Sequence, residues 1–270
     1  MSGQGTVGPG AGHGAPGVLD RFRLDGRVAL VTGTSRGLGQ GIAVALAQAG
    51  ADVALLDRSD ASRTADLVRA TGRRCLELRA DLATATPADL AAAVEATSRG
   101  LGPVDILVNN AGLIRRSPAA EYAAADWAAV LRVDLDAVFH LTQAAGRHML
   151  ARGSGSIITV ASMLSFQGGV RVPAYTAAKH AVAGLTKALA NEWAGRGVNV
   201  NAVAPGYLAT DNTAPLRADA ARSRSIAERI PAGRWGTPAD LQGAVVFLAS
   251  PAAAYVHGVV LPVDGGWLVR

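Results

Sequence analysis

The sequence predicts a single doubly wound α/β domain, a parallel sheet of about seven strands with helices on both faces. Three observations predict it. Short apolar runs alternate with helix-like segments along most of the 270 residues. The first such run, Val28-Ala29-Leu30-Val31, passes directly into a glycine-rich turn that opens an apolar helical stretch over 42–49. Half of the residues are hydrophobic, with many alanines, which lets helices pack closely on a sheet buried on both faces.

In chain order, residues 1–20 are dominated by Gly, Pro, Ser and Ala without apolar periodicity, and read as a disordered tail. The domain follows over 21–270. Strands are expected near 28–32, 52–57, 74–79, 104–108, 155–161, 198–203 and 258–263. After the first strand come Gly33, Ser35, Arg36, Gly37, Leu38 and Gly39, with the glycines spaced Gly-x-x-x-Gly-x-Gly. Strand, glycine turn and helix form the context that binds a dinucleotide. Gly33 permits the tight turn, Gly37 lets backbone approach a pyrophosphate, and Gly39 lets the helix pack on the strand. The second strand ends at Asp57, where a carboxylate would hold the ribose hydroxyls of NAD. Arg36 and Arg58 could instead attract the 2′-phosphate of NADP. Asp57 favours NAD as cofactor, with NADP possible. The polar stretch within 207–235 breaks the strand–helix rhythm and reads as a mobile lid over substrate.

Tyr175 and Lys179 stand four residues apart, so on a helix they share a face, and the ammonium favours the phenolate of a group that ordinarily titrates near ~10. Ser162, thirteen residues upstream, would come from a loop after a strand and could hydrogen-bond a carbonyl or alcohol as charge shifts there. Together the three residues form a proton-transfer device.

Two further motifs complete a pattern: Asn109-Asn110-Ala111-Gly112 after the strand at 104–108, and Pro205-Gly206 after the strand at 198–203. On these motifs the chain resembles the short-chain dehydrogenase/reductase family over about residues 24–270. The resemblance implies a Rossmann-type NAD(P)-binding domain in which Tyr175 is the catalytic acid/base. Lys179 would lower its pKa and bond the nicotinamide ribose, and Ser162 would orient substrate. Asp81 and Leu82 would lie along the adenine, Asn109, Pro205 and Gly206 would line the cofactor, and Asn110 would support the central strand. One departure stands out. The family usually carries a catalytic asparagine in a Val-Asn-Leu run, which here reads Val133-Asp134-Leu135, so the fourth catalytic position holds an acid. Its main-chain carbonyl can still hold a relay water, while an ionised side chain would alter the field at Lys179.

The segments 109–116, 161–175, 229–236 and 263–267 resemble a branch of the family acting on sugar acids of the 2-keto-3-deoxygluconate / 5-keto-4-deoxyuronate type. Arg115, Arg116 and Arg171 fall in those segments and could grip a carboxylate with paired hydrogen bonds. Two alternatives stay open: a reductase of another ketone or 3-oxoacyl thioester, and a catalytically silent NAD-binding regulator. The family commonly forms homotetramers, here through 126–149, 174–194 and 261–270.

Composition narrows the rest. Net charge is +5, but the arginines are dispersed without a recognition module, so nucleic acid is not an expected partner. No apolar run approaches the ~20 residues of a membrane span. The single cysteine, Cys75, reads as a strand residue and fits a reducing cytoplasm, and no secretory signal pattern is present. The histidines show no zinc-binding spacing, so no metal is implied.

Overall fold

The computed structural model describes residues 17–270, and of the expected tail residues 1–16 lie outside the described residues. Leu19–Phe22 form one exposed 3-10 turn. Seven parallel strands follow: β1 Val28–Thr32, β2 Asp52–Asp57, β3 Cys75–Arg79, β4 Ile106–Asn109, β5 Gly155–Val160, β6 Val198–Pro205 and β7 Val260–Val263. They are ordered β3-β2-β1-β4-β5-β6-β7, each pair of neighbours parallel. The helices are α1 Gly37–Gln48, α2 Ser62–Arg69, α3 Pro87–Gly100, α4 Ala124–Leu131, α5 Ala137–Arg152, α6 Pro173–Trp193, α7 Ala214–Ala218, α8 Ala220–Arg229 and α9 Pro238–Ala249.

Period-two alternation divides the core into two layers. Ala29, Val31, Val53 and Leu55 face α1, α2 and α9, packing with Ile42, Leu46, Val68, Leu241 and Val245. Val28, Leu30, Ala54 and Leu56 face the other side, with Leu90 and Val94 of α3, Leu141 and Met149 of α5 and Trp193 of α6. Every residue of β1 and β2 is buried, as strands covered on both faces must be. Local chemistry sets the helix ends. Thr86 and Asp89 close a capping box before α3, Thr237 and Asp240 do so before α9, and Gly153 ends α5 in a left-handed conformation at φ 71°.

The expected strands appear with shifted ends. β4 starts at Ile106, and Asp105 just before it ties the amino ends of the central strands β1 and β4 together, its carboxylate accepting the Val28 N–H at 3.0 Å. β7 starts at Val260, after Gly258 turns the chain at φ 70°. The polar stretch expected to be a lid folds into α7 and α8, and a π turn over Arg132–Asp136 joins α4 to α5.

The chain moves outward from β1 to β3, then returns to build β4 to β7 on the other side. The crevice between the carboxyl ends of β1 and β4 is therefore the switch point of the sheet, where such folds bind ligands.

Candidate active site

A cavity of about 650 Å³ occupies that crevice. Gly33, Gly37 and Gly39 form one wall. Gly33 and Gly37 take positive φ of 69° and 62°, and a Cβ on Gly39 would run into the Gly33 carbonyl and the Asn110 amide. The glycine spacing thus leaves a cradle against the N-terminus of α1, whose free N–H groups suit a pyrophosphate. Asn110 closes the floor: its amide donates to the carbonyls of Thr32 at 2.8 Å and Gly33 at 3.0 Å, tying the ends of β4 and β1 together.

Asn109, expected at the cofactor, is not among the cavity-lining residues. Its amide donates to Thr142 Oγ1 at 3.0 Å inside the α5 layer, because successive side chains of a strand point to opposite faces. Asn110 lines the cavity in its place.

Asp57 is buried at the end of β2, and its two carboxylate oxygens accept the N–H groups of Ser35 at 2.7 Å and Ser59 at 2.8 Å. That clamp fixes the carboxylate toward the cavity, beside Arg58, Asp81 and Leu82. Ser35, Arg36 and Leu38 line the same half. Arg36 pairs through Nε with Asp211 of the segment before α7 at 3.1 Å, both side chains being largely exposed.

Ser162, Tyr175 and Lys179 line the middle of the cavity together. Ser162 follows β5 in extended backbone, its Oγ accepting the Leu164 N–H at 3.1 Å. Tyr175 sits in the first turn of α6, which Pro173 starts, and Lys179 lies one turn later. Lys179 is 4% exposed, and its ammonium donates to the Val160 carbonyl at 2.9 Å and stands 5.4 Å from the Tyr175 ring centroid. A buried cation beside a phenol and a free hydroxyl can move a proton to or from a carbonyl oxygen.

Asp134 sits in the π turn, fully buried behind this group and outside the cavity lining. Oδ1 accepts the Leu113 N–H at 2.7 Å, while Oδ2 has no hydrogen-bond partner. Desolvation pushes its carboxyl up to about 6 against the opposing pull of Lys179 and of the Leu113 N–H. Its side chain thus bonds the Leu113 backbone and lies within the electrostatic reach of Lys179.

Of the three arginines expected at the substrate, the structure brings only Arg116 to the cavity. Arg115 turns outward to Asp126 at 3.3 Å. Arg171 is exposed, holds a left-handed backbone at φ 65° and serves through its carbonyl, which accepts the Ser117 N–H at 3.0 Å. Pro205 and Gly206 line the cavity as expected, and a Cβ on Gly206 would press on Asp264. Sequence reasoning missed Arg222 and Arg229 of α8 together with Tyr207 and Trp267, all of which line the cavity. The only signal was the arginine pair spaced seven apart, two turns along one helix face.

Among the described residues no group of His, Cys, Asp and Glu could hold a metal ion, and no helix is long and apolar enough to cross a membrane. Cys75 lies in β3, and burial pushes its thiol up to about 11, far from a reactive thiolate.

A family model described as enoyl-(acyl carrier protein) reductase matches residues 33–268. The 2-dehydro-3-deoxy-D-gluconate 5-dehydrogenase of Escherichia coli (strain K12) is 54% identical over 94% of this chain and 100% of its own. The crystal structure of a candidate 2-deoxy-D-gluconate 3-dehydrogenase from Agrobacterium tumefaciens, with bound NADP, is 55% identical at a TM-score of 0.86, covering 93% of this chain and 99% of that one. A gluconate 5-dehydrogenase from Burkholderia cenocepacia J2315 in complex with NADP and tartrate is 43% identical at a TM-score of 0.89, covering 94% and 100%. The glycine cradle at the switch point, the serine–tyrosine–lysine group beside it and these likenesses along nearly the whole chain agree: the chain belongs to the short-chain dehydrogenase/reductase family.

Proposed function

We propose that the protein is an NAD(P)-dependent oxidoreductase that interconverts a secondary hydroxyl and a ketone on a sugar acid, with 2-dehydro-3-deoxy-D-gluconate oxidised at C5. The observation that carries the chemistry is the convergence of Ser162, Tyr175 and Lys179 on the wall of a cavity whose other end is the glycine cradle. The substrate class rests on the sugar-acid dehydrogenases among the relatives, including a neighbour that holds tartrate, itself a hydroxy acid.

The cradle fits a dinucleotide, since a Cβ at Gly33 or Gly39 would strike the protein's own backbone and force the turn from the start of α1, while one at Gly37 would project into the open space that a pyrophosphate needs. Gly33, Ser35, Arg36, Gly37, Leu38 and Gly39 hold the phosphates, Asp57, Asp81 and Leu82 the adenosine half, and Pro205 and Gly206 the nicotinamide half. The bound cofactor supplies or accepts the hydride. In the reducing direction Ser162 donates a hydrogen bond to the carbonyl oxygen, and Tyr175 gives that oxygen its proton as the carbon–oxygen double bond becomes single. Lys179, whose ammonium stands 5.4 Å from the Tyr175 ring centroid, stabilises the negative charge that develops on the Tyr175 oxygen as its proton moves. In oxidation the same groups work in reverse, Tyr175 removing the hydroxyl proton. Arg116 lines the cavity and adds to the positive field that draws in an anionic substrate.

Both coenzymes fit. The clamped Asp57 carboxylate accepts the adenosine ribose hydroxyls of NAD, while Arg36 and Arg58 face a 2′-phosphate, and two solved relatives hold NADP. We assign NAD as the preferred partner on the strength of Asp57. A cytoplasmic homotetramer completes the reading, supported by the exposed aromatic rings of Trp127 on α4 and Phe139 on α5 along the expected contact helices.

The test is oxidation of 2-dehydro-3-deoxy-D-gluconate by wild type and Tyr175→Phe, followed at the nicotinamide absorbance band with NAD and with NADP. The expected result is wild-type turnover and a loss of about 10²–10⁴-fold in the variant. Wild type that binds NADH yet turns over only a 3-oxoacyl thioester would move the chain to the acyl branch. Binding without any turnover would make it a cofactor-sensing regulator.

A further inference from the structure

Five arginines line the cavity, and their surroundings separate them. Arg36 is engaged with Asp211, and Arg58 stands beside Asp57 at the adenosine end. Arg116, Arg222 and Arg229 remain, none of them in an ion pair among the described residues. Arg229 differs from the other two. Its guanidinium carbon lies 3.9 Å from the centroid of the Trp267 ring. Trp267 is itself buried, meets the Tyr207 ring edge-on at 4.7 Å and directs Nε1 to Gln167 Oε1 at 3.4 Å.

We propose that Arg229 is the residue that binds the substrate carboxylate and sets the preference for an acid over a neutral sugar. The inference rests on the sugar-acid reading above and adds the site that reads the acid. Stacking occupies one face of the guanidinium plane and leaves its N–H edges free, the arrangement that meets a carboxylate through two parallel hydrogen bonds. Because the ring already restricts the side chain, less rotamer freedom is lost when the acid arrives. The support beneath it belongs to the substrate half of the site. Tyr207 follows Pro205-Gly206, and Gln167 lies just past the single turn that begins at Ser162. Arg229 also lines a second cavity of about 530 Å³ under α8, so it stands where the two spaces meet. Arg222 shares that wall, but its helix turn is capped by Asp219, which lines the same space and offsets its charge.

The experiment compares wild type, Arg229→Met and Arg222→Met with 2-dehydro-3-deoxy-D-gluconate and with its carboxamide, under saturating cofactor. Methionine keeps an apolar stem over Trp267 and removes the fork. Arg229→Met is expected to raise KM for the acid about 10- to 100-fold, as loss of a charged hydrogen-bond pair does, with kcat and the constants for the amide within about threefold. Arg222→Met should shift the acid KM by less than about threefold, and Arg229→Lys should recover part of the loss. NADH affinity, measured by fluorescence titration, should match wild type in every variant, which establishes that each is folded with its cofactor site intact. Equal losses on acid and amide, or equal losses in the two arginine variants, would overturn the assignment of Arg229. Wild type that does not distinguish acid from amide would overturn the sugar-acid reading and the inference with it. An acid preference that persists in Arg229→Met would overturn the inference alone.

Discussion

The two halves of the cavity are built from different materials. The half we assign to the cofactor is mostly backbone: three glycines, the start of α1 and a carboxylate fixed by the N–H groups of Ser35 and Ser59. The half we assign to the substrate is mostly side chain: Arg116 from the loop after β4, Tyr207 after β6, Arg229 from α8 and Trp267 from the C-terminal turn. Backbone geometry is dictated locally by glycine spacing and strand ends, so the first half recurs wherever the motif does. Side chains gathered from four distant segments are free to vary, and in that half one fold comes to serve many substrates.

Substitutions on each side sharpen this contrast. The largest expected effect is at Gly39, where Gly39→Ala would drive a methyl into the Gly33 carbonyl. We expect NADH affinity to fall by about 100-fold with a lowered Tm, since overpacking against backbone costs about 1–3 kcal/mol. Unchanged affinity in a fluorescence titration would break the claim that close backbone approach defines the cofactor half. Next is Asp57→Ala. It removes the proposed acceptor for the ribose hydroxyls while leaving Arg36 and Arg58, and should raise the NADP-to-NAD ratio of kcat/KM about 10- to 100-fold, as the ~1.5–3 kcal/mol of a hydrogen bond to a charged group implies. A constant ratio would take Asp57 out of cofactor choice.

The smallest expected effect on turnover is Asp134→Asn, between the two halves. The folded-state pKa is raised to about 6, so the folded protein binds a proton more readily than the unfolded chain does. The cost of burying an ionised Asp134 is accordingly absent below about pH 4, grows as pH rises toward 6 and is constant above. The variant should gain roughly 1–3 kcal/mol of stability at pH 7.5 and lose that advantage as pH falls through 6 to 4. Activity should stay within about threefold or rise. A hundredfold loss would make the carboxylate itself essential.

Most of the fold was legible in the sequence because buried parallel strands announce themselves as continuous apolar runs. Val28 to Val31 and Asp52 to Asp57 appear where those runs stand, and the glycine spacing marks the turn. Direction was less legible than position. Asn109 and Asn110 are adjacent and identical, and only the strand's facing decides that Asn110 meets the cavity while Asn109 bonds Thr142. The same holds for Arg115 and Arg116, which part at Asp126. Arg229 was hidden for another reason. Its proposed role depends on a ring 38 positions away, and no local pattern joins the two. Asp134 was visible as a departure, yet its unpartnered Oδ2 required the surrounding atoms.

Arg171 holds a left-handed backbone that costs a side-chain-bearing residue roughly 1–2 kcal/mol, and its carbonyl receives the Ser117 N–H from the loop after β4. That single bond couples the loop after β4 to the loop before α6, so the two must part together. The Ser117 amide proton can exchange with deuterium only when they do. One backbone hydrogen therefore serves as a reporter for the two loops, and its exchange rate sets a lower limit on how often they part.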